Sequence, residues 1–245
     1  MKESIIKVLH LIFGYENYLK IFSVLKVHTL SLDKRKSDFR FFEKLLVDNA
    51  TVLVIGACTG ITTVPLARKK KYRTVLAYEA LPSNYKILNR VIEYFKLKNI
   101  STYSTGLGNV AERREIILPV IRGVKKHGMA HILDPAIRGY NVGFSETIEL
   151  CCLDEREELQ NRKIDAIKIV AENFEYQILE GAKVLLKTNK PFIYCELWDN
   201  LQRDKVLSLI LTYGYNVFYR IDQQLIPYES GSYSGKNFFF QPADE

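Results

Sequence analysis

The chain has few features that assign a protein to a membrane or to an extracellular compartment. It has 245 residues, and none of its apolar runs reaches the roughly eighteen uncharged residues of a membrane-spanning helix. The apolar run Val8–Phe13 is short, and Glu16, Lys20 and Lys26 interrupt the sequence that follows, so it does not read as a signal peptide. We therefore expect a cytoplasmic protein with no transmembrane segment.

Cysteine is also scarce, with 4 in the chain. Cys151 and Cys152 are adjacent and the other two stand alone, so no CxxC spacing occurs. This pattern suggests neither a zinc site nor a disulfide framework. We expect reduced thiols, of which only Cys58 lies in a turn of functional interest.

The net charge of +7 and the pI near 9.1 would suit an anionic partner. Much of the excess, however, lies in Arg68–Lys71 and Arg73, at the expected end of a helix, where cations interact favourably with the helix dipole. No RNA- or DNA-binding motif is present. A nucleic-acid partner is therefore not expected.

The most informative stretch is a strand, a glycine turn and a helix. Residues Thr51–Ile55 favour a β-strand and lead into Gly56 and Gly60, whose missing Cβ atoms would let a ligand approach backbone N–H groups. The next predicted strand, Thr74–Tyr78, ends at Glu79, a carboxylate able to accept hydrogen bonds from ribose hydroxyls. The glycines alone would also fit a helix capped at both ends, but together with Glu79 they predict a nucleoside site.

Strands and helices alternate after residue 38, which predicts a doubly wound, mostly parallel α/β domain over residues 38–245. Residues 1–37 form a predicted helical extension of two amphipathic helices broken at Gly14. This extension could pack on the main domain, support a homodimer or lie on a membrane surface. Packing is the default interpretation.

Residues 115–153 depart from this alternation. Two predicted strands, Glu115–Val120 and Thr147–Leu153, flank a long loop rich in glycine, histidine and basic residues. Long loops in compact domains are commonly functional, so we interpret the segment as a lid or substrate-facing hairpin. His127 and His131 could act as bases there, and since no third ligand is evident nearby, no metal is predicted.

Two further predicted strands end in acidic residues. Glu172 and Glu175 follow the buried strand that begins at Ile164, and Glu196 ends the strand that begins at Phe192. Ligands of open α/β sheets bind outside the carboxyl ends of the strands. If the strands are adjacent, these carboxylates and Glu79 share one edge.

Several motifs in this order resemble the FkbM-type S-adenosylmethionine-dependent methyltransferases. The matching segments are residues 54–60, 77–82, 152–155, 164–175, 179–182 and 236–240. The resemblance covers roughly residues 40 to 243. It implies a seven-stranded, Rossmann-like class I methyltransferase sheet with a C-terminal antiparallel strand, and methyl transfer from S-adenosylmethionine to a hydroxyl of a sugar, glycan or other small acceptor.

The resemblance also implies roles for individual residues. The glycine turn would surround the amino-acid part of the cofactor, Glu79 would hold the ribose, and Glu172 and Glu175 match two glutamates of a family motif. Carboxylates at a helix N-terminus could equally have a structural role. The predicted cofactor-binding residues are Gly56, Ala57, Cys58, Gly60, Glu79 and Ala80, and the predicted catalytic residues are Glu172 or Glu175, followed by His127 and His131.

The chain departs from the family pattern at four positions. The family usually has Asp at Val54 and Val170, Asn at Cys58 and Gly at Asn173. Aspartates there would orient the cofactor or the acceptor, and valine can do neither. The sequence therefore supports an O-methyltransferase and leaves open a second hypothesis, a non-catalytic protein that uses the same fold as a binding or assembly module.

Overall fold

The computed structural model describes residues 2–68, 73–137 and 139–243, and it describes side chains from residue 8 onward. Lys69–Lys71, assigned above to a helix end, lie outside the described residues. Within the described residues the main sheet has eight strands: β1 (Thr51–Ile55), β2 (Thr74–Tyr78), β3 (Ile100–Tyr103), β9 (Ala166–Ile169), β10 (Phe192–Glu196), β11 (Tyr215–Ile221), β12 (Gln224–Pro227) and β13 (Asn237–Pro242). Their order across the sheet is β12-β11-β13-β10-β9-β1-β2-β3.

The centre of the sheet is parallel, since β10, β9, β1, β2 and β3 all run in one direction. β13 pairs antiparallel with β10 and with β11, as expected for the closing strands. The expected seven strands are present, and the short β12 adds an eighth at the edge. The fold is thus the predicted doubly wound α/β class.

Helices cover both faces of the sheet, and each face has its own apolar cluster. The central strands are almost fully buried because their residues are apolar on both sides, as expected of a covered parallel sheet. The helices are α1 (Lys2–Phe13), α2 (Tyr15–His28), α3 (Ser37–Leu45), α4 (Thr63–Arg68), α5 (Pro82–Tyr94), α6 (Glu175–Glu180), α7 (Lys183–Asn189) and α8 (Leu201–Thr212). Among the described residues no helix has both the length and the apolar character needed to cross a bilayer.

Between β3 and β9 the chain builds a second, five-stranded sheet. Its long strands, β5 (Glu112–Ile121) and β8 (Gly143–Cys152), pair antiparallel, and the shorter strands are β4 (Gly106–Gly108), β6 (Val124–Lys125) and β7 (His131–Ile132). Both long strands extend into the segment that the sequence leaves as loop, because backbone pairing between β5 and β8 continues there. We call residues 112–152 the hairpin.

The two predicted N-terminal helices are present, and Gly14, with φ of 70°, separates them. α2 buries Leu19, Val24 and Val27 in the same cluster as the central strands. Its buried Ser23 Oγ donates to Thr59 Oγ1 at 2.7 Å. The extension therefore packs against the glycine turn of the main domain.

Candidate functional site

A cavity of about 320 Å³ lies at the carboxyl ends of the central strands. This position follows from the topology, because the edge beyond parallel strands is where α/β sheets bind ligands. We divide the wall into a β2 side and a β10 side. The β2 side contains residues 56–58, Glu79, Ala80, Asn84 and His127, and the β10 side contains Lys36, Lys168, Glu172, Tyr194 and Glu196.

The glycine turn takes a shape that few residues tolerate. Gly56 and Gly60 have φ of 72° and 88°, and a Cβ on Gly56 would overlap the carbonyl oxygen of Val170. Cys58, between them, also has a left-handed φ of 51°. Positive φ is rare for residues with a Cβ, so the glycines let β1 approach β9 closely and turn.

Glu79 directs its carboxylate back to this turn. Oε2 accepts from the backbone N–H of Cys58 at 2.7 Å, and Oε1 accepts from Leu81 N at 3.0 Å and Asn84 Nδ2 at 3.3 Å. Burial raises the pKa of Glu79, while these hydrogen bonds and Lys168 act in the opposite direction. Burial, with Glu79 nearby, also raises the pKa of the Cys58 thiol to about 12, so this thiol stays protonated at neutral pH.

A chain of hydrogen bonds joins Glu79 to the hairpin and to the extension. Asn84, which donates to Glu79, places its Oδ1 2.7 Å from His127 Nδ1, and His127 Nε2 pairs with the hydroxyl of Tyr15 on α2. Burial, followed by Lys125, lowers the pKa of His127 to about 4. The ring is thus neutral, with Nδ1–H donating to Asn84 and Nε2 accepting from Tyr15.

His131 also has partners at both ring nitrogens. Its Nδ1 lies 2.9 Å from the carbonyl oxygen of Met129, and its Nε2 lies 2.8 Å from Asn141 Oδ1. Both histidines line the cavity, yet the hairpin and its neighbours occupy their ring nitrogens. Their catalytic use stays a prediction.

The two glutamates after β9 lie in different surroundings. Glu172 lines the cavity, with φ of 47°, and burial together with Glu175 and Glu196 raises its pKa to about 8. Glu175 is 2% exposed and turns inward, where its Oε1 accepts from the backbone N–H of Ala171 at 2.7 Å. Burial raises its pKa to about 7. Of these two glutamates, Glu172 is the one that lines the cavity.

The two valines that stand where the family usually has aspartate lie in different positions relative to the cavity. Val54 is buried in the apolar cluster beneath the sheet, in register with Lys168 on β9. Val170 lines the cavity. An acid at position 54 would therefore stand beside Lys168, whereas an acid at position 170 would face the cavity directly.

Sequence reasoning missed Lys168, Asn84, Tyr15 and Lys36 as site residues. Lys168 is 4% exposed and donates from Nζ to the carbonyl oxygen of Gly56 at 3.0 Å. A single lysine in an otherwise apolar, buried strand is unusual, and that signal was available in the sequence. The other three carry no sequence signal, because only the packing of α5, of the turn before α3 and of α2 brings Asn84 and Lys36 to the cavity and Tyr15 to His127.

A sequence profile of the Methyltransferase FkbM domain matches residues 55–219. The chain belongs to the FkbM methyltransferase family. The matched region contains the glycine turn, Glu79, the hairpin and both glutamates after β9. No curated protein sequence matches the chain.

Solved structures share the fold. The Methyltransferase FkbM of Methylobacillus flagellatus KT superposes with a TM-score of 0.54 at 16% identity, covering 80% of this chain and 45% of that chain. A SAM-dependent O-methyltransferase of Thermotoga maritima gives 0.51 at 12% identity, over 90% of this chain and 72% of that one. Precorrin-6y C5,15-methyltransferase of Geobacter metallireducens GS-15 gives 0.50 at 9% identity, covering 83% and 85%. The FkbM chain thus spans under half the length of its M. flagellatus relative.

Proposed function

We propose that this FkbM-family protein is an S-adenosylmethionine-dependent O-methyltransferase acting on a hydroxyl of a sugar, a glycan or another small hydroxylated acceptor. The observation that carries the proposal is the position of Glu79. Its buried carboxylate lies at the end of β2 and closes the glycine turn through the N–H of Cys58. This is the arrangement expected of a nucleoside site in an α/β sheet.

The size and the lining of the cavity support this choice of cofactor. Its volume of about 320 Å³ lies within the range of small-molecule sites, roughly 300–1,000 Å³. A carboxylate has about four acceptor positions, and three of those on Glu79 are used by protein donors, so one remains on Oε2 for a ribose hydroxyl. Leu107, Ile116 and Ile132 add apolar wall of the kind that suits an adenine ring.

Bound S-adenosylmethionine supplies a methyl group activated by a sulfonium centre. The protein has to hold the acceptor hydroxyl in line with that methyl group and accept the hydroxyl proton. Glu172 is our candidate base, because it is the carboxyl group after β9 that faces the cavity. The hairpin and Tyr15 cover the β2 side through His127, which would exclude water from the cofactor.

Calorimetric titration with S-adenosylmethionine and S-adenosylhomocysteine tests the proposal. We expect micromolar binding to the wild-type protein and at least a tenfold loss in Glu79→Ala, since a hydrogen bond to a charged group is worth about 1.5–3 kcal/mol. Glu93→Ala, an exposed glutamate on α5, is the matched control and keeps wild-type affinity. Absence of binding at millimolar ligand would reject the proposal.

A second candidate is a non-catalytic member of the family that binds a ligand or a partner. The observation in its favour is Val170, an apolar residue on the cavity wall where the family usually has an acid. The two candidates differ in one measurement. Cofactor binding without methyl transfer to any member of a broad set of hydroxylated acceptors supports the second, and a single methylated product supports the first.

A further inference from the structure

The two N-terminal helices expose an unusual number of apolar side chains. Among the described residues nineteen large apolar side chains are exposed, and seven of them lie in residues 8–25. Single exposed apolar residues are ordinary, but such a concentration is typical of a surface that another molecule covers. We call these seven the N-terminal patch: Val8, Leu11, Ile12, Phe13, Ile21, Phe22 and Leu25.

Helix α2 has two apolar faces, and it packs on the main domain with one of them. Residues three or four positions apart share a face of a helix. Leu19 and Ser23 follow this spacing and are buried. Ile21, Phe22 and Leu25 lie on the opposite face and are exposed. A helix that only packs on a domain is usually polar on its outer face, so the apolar outer face of α2 indicates a second contact.

The exposed faces of α1 and α2 belong to one surface. The ring centroids of His10 on α1 and Tyr18 on α2 lie 4.6 Å apart, and Tyr18 stacks on Phe22 with centroids 6.1 Å apart. Leu11, next to His10, is 86% exposed. The apolar surface therefore runs from α1 across this row of rings to the outer face of α2.

Cations border the N-terminal patch. Lys26 Nζ lies 5.8 Å from the centroid of the Phe22 ring. Lys20 belongs to the same helix, and Lys34 and Arg35 lie exposed in the turn that follows it. Lysine and arginine side chains at such an edge can lay their apolar stems on the patch while their charged ends stay in a polar layer.

The acids of this region do not offset the cations. Residues 8–35 contain four lysines and arginines and two acids, Glu16 and Asp33. Asp33 pairs with two of these four cations, and Glu16 pairs with two more on α5, Lys86 at 2.7 Å and Arg90 at 3.6 Å. Six cations then stand beside two acids, or three when Glu93 of α5 is included. The apolar surface therefore has a positively charged border.

An anionic bilayer matches this combination better than a second copy of the chain does. In a symmetric dimer the same patch faces itself, so the cations of each copy would face those of the other. Like charges across an interface oppose association. A bilayer with anionic lipids offers an apolar layer for the patch and negative headgroups for its border.

We propose that the N-terminal patch docks on the surface of a bilayer that contains anionic lipids. Helices α1 and α2 lie in the plane of the interface, with the patch among the upper acyl chains and the lysines at the headgroups. The contact is peripheral and reversible. It is independent of the proposed function, because none of the seven patch residues lines the cavity.

Flotation of the full chain with lipid vesicles tests the proposal. The vesicles are phosphatidylcholine alone, or phosphatidylcholine with about 30% phosphatidylglycerol, which supplies the anionic charge. We expect at least tenfold tighter binding to the anionic vesicles, since each cation near such a surface strengthens binding by about fivefold. About 0.5 M salt should remove this preference, because it screens the headgroups. No flotation with either vesicle, or equal flotation with both, overturns the proposal.

Leucine variants assign the binding to the patch. Leu11→Asn/Leu25→Asn replaces side chains that are 86% and 58% exposed, so it should leave the fold intact and weaken vesicle binding at least tenfold. Leu201→Asn/Leu211→Asn on α8, at 79% and 57% exposed, is the matched control and keeps wild-type binding. Circular dichroism and urea denaturation check that both variants are folded. Equal losses of binding in the two variants would refute the proposal.

Charge variants test the border of the patch. Lys20→Glu/Lys34→Glu should abolish the preference for anionic vesicles. Lys183→Glu/Lys187→Glu, two exposed lysines on α7, makes the same change in net charge and should keep the preference. If both variants lose it equally, overall charge and not the patch attracts the vesicle, and the proposal is wrong.

Sedimentation velocity without vesicles decides between the bilayer and a second copy of the chain. A wild-type dimer that becomes a monomer in Leu11→Asn/Leu25→Asn, together with no flotation, would make the patch a dimer interface and overturn the proposal. A wild-type monomer that floats with anionic vesicles supports it.

Discussion

The two sides of the cavity contrast in how their polar groups are satisfied. On the β2 side, Glu79 accepts three hydrogen bonds from protein donors, and Asn84 and His127 extend the chain to Tyr15. On the β10 side, four charged groups line the wall without an ion pair among the described residues. The β2 side is thus organised before any ligand binds, whereas on the β10 side only Lys168 and Tyr194 make side-chain hydrogen bonds among the described residues.

This contrast fits the demands of the proposed reaction, which has two substrates. Preorganised groups lose little freedom on binding and favour one ligand of fixed shape. Groups without partners gain most when a complementary ligand arrives, which favours selectivity. The following predictions test the contrast.

The largest expected effect is at Gly56. In Gly56→Ala the new methyl group overlaps the Val170 carbonyl at a φ of 72°, so we expect a loss of about 4 kcal/mol or more of unfolding free energy, or no folded protein. Gly231→Ala is the control, because its φ is 80° but nothing lies within 4 Å, and it should cost only about 1–2 kcal/mol. Urea denaturation measures both. Equal costs would show that the β2 side is less tightly packed than the structure indicates.

The second prediction separates the two glutamates after β9. Glu172→Ala should lower kcat by about 10²–10⁴, as expected for loss of a general base, without lowering stability near neutral pH. Glu175→Ala should instead cost about 1–3 kcal/mol of stability, since it leaves the buried N–H of Ala171 without its acceptor. Methyl-transfer rates and urea denaturation of both variants decide the assignment. The reverse pattern would make Glu175 the catalytic group.

The third prediction concerns pH. The folded protein holds the Glu172 proton more tightly than the unfolded chain, because the pKa rises from the usual 4.5 to about 8. Its contribution to stability is therefore complete below about pH 4.5 and is lost as the pH rises through about 8, with a slope of at most about 1.4 kcal/mol per pH unit.

His127 contributes the opposite slope at lower pH, because its pKa falls from 6.5 to about 4. The informative quantity is therefore the difference between wild type and Glu172→Gln. We expect the variant to lose less stability than wild type between pH 5 and pH 8, measured by urea denaturation. Parallel curves would show that Glu172 is not desolvated.

The smallest expected effect is at Tyr15. Tyr15→Phe removes the donor to His127 Nε2, and it should cost about 1 kcal/mol of stability and weaken cofactor binding by a few-fold. Tyr94→Phe, at a tyrosine 54% exposed, is the control with no expected change. Calorimetry of both variants measures the effect. An unchanged affinity in Tyr15→Phe would show that Tyr15 does not contribute to cofactor binding. The hydrogen bonds that matter on the β2 side would then be those of Glu79, Asn84 and His127.

The β2 side was largely predictable from the sequence. Strand β1, the two glycines of the turn and Glu79 lie within about thirty residues of one another. Local sequence patterns therefore place them together. The motif around Glu172 and Glu175 also placed both after β9, but it could not tell which carboxyl group faces the cavity. That difference depends on two consecutive left-handed residues, Glu172 and Asn173, which turn the chain before α6.

The β10 side was less predictable, because its residues are far apart in sequence. Lys36 and Lys168 reach the same cavity only through the packing of α3 on the face of β9 and β10, and no local pattern encodes that arrangement. The sequence also predicts shorter strands β5 and β8 than the structure has, for a related reason. Strand pairing between β5 and β8 stabilises residues whose own preferences are weak.

The packing of α2 on the main domain has a consequence for how the protein is made. α2 packs on α5, whose last residue, Tyr94, is translated 66 residues after His28, the end of α2. At about 5–20 residues per second, the ribosome needs roughly 3–13 s to complete that partner. During this interval Leu19, Val24 and Val27 have no surface to cover them. The nascent chain therefore carries an apolar helix pair that is open to chaperones before the methyltransferase fold exists.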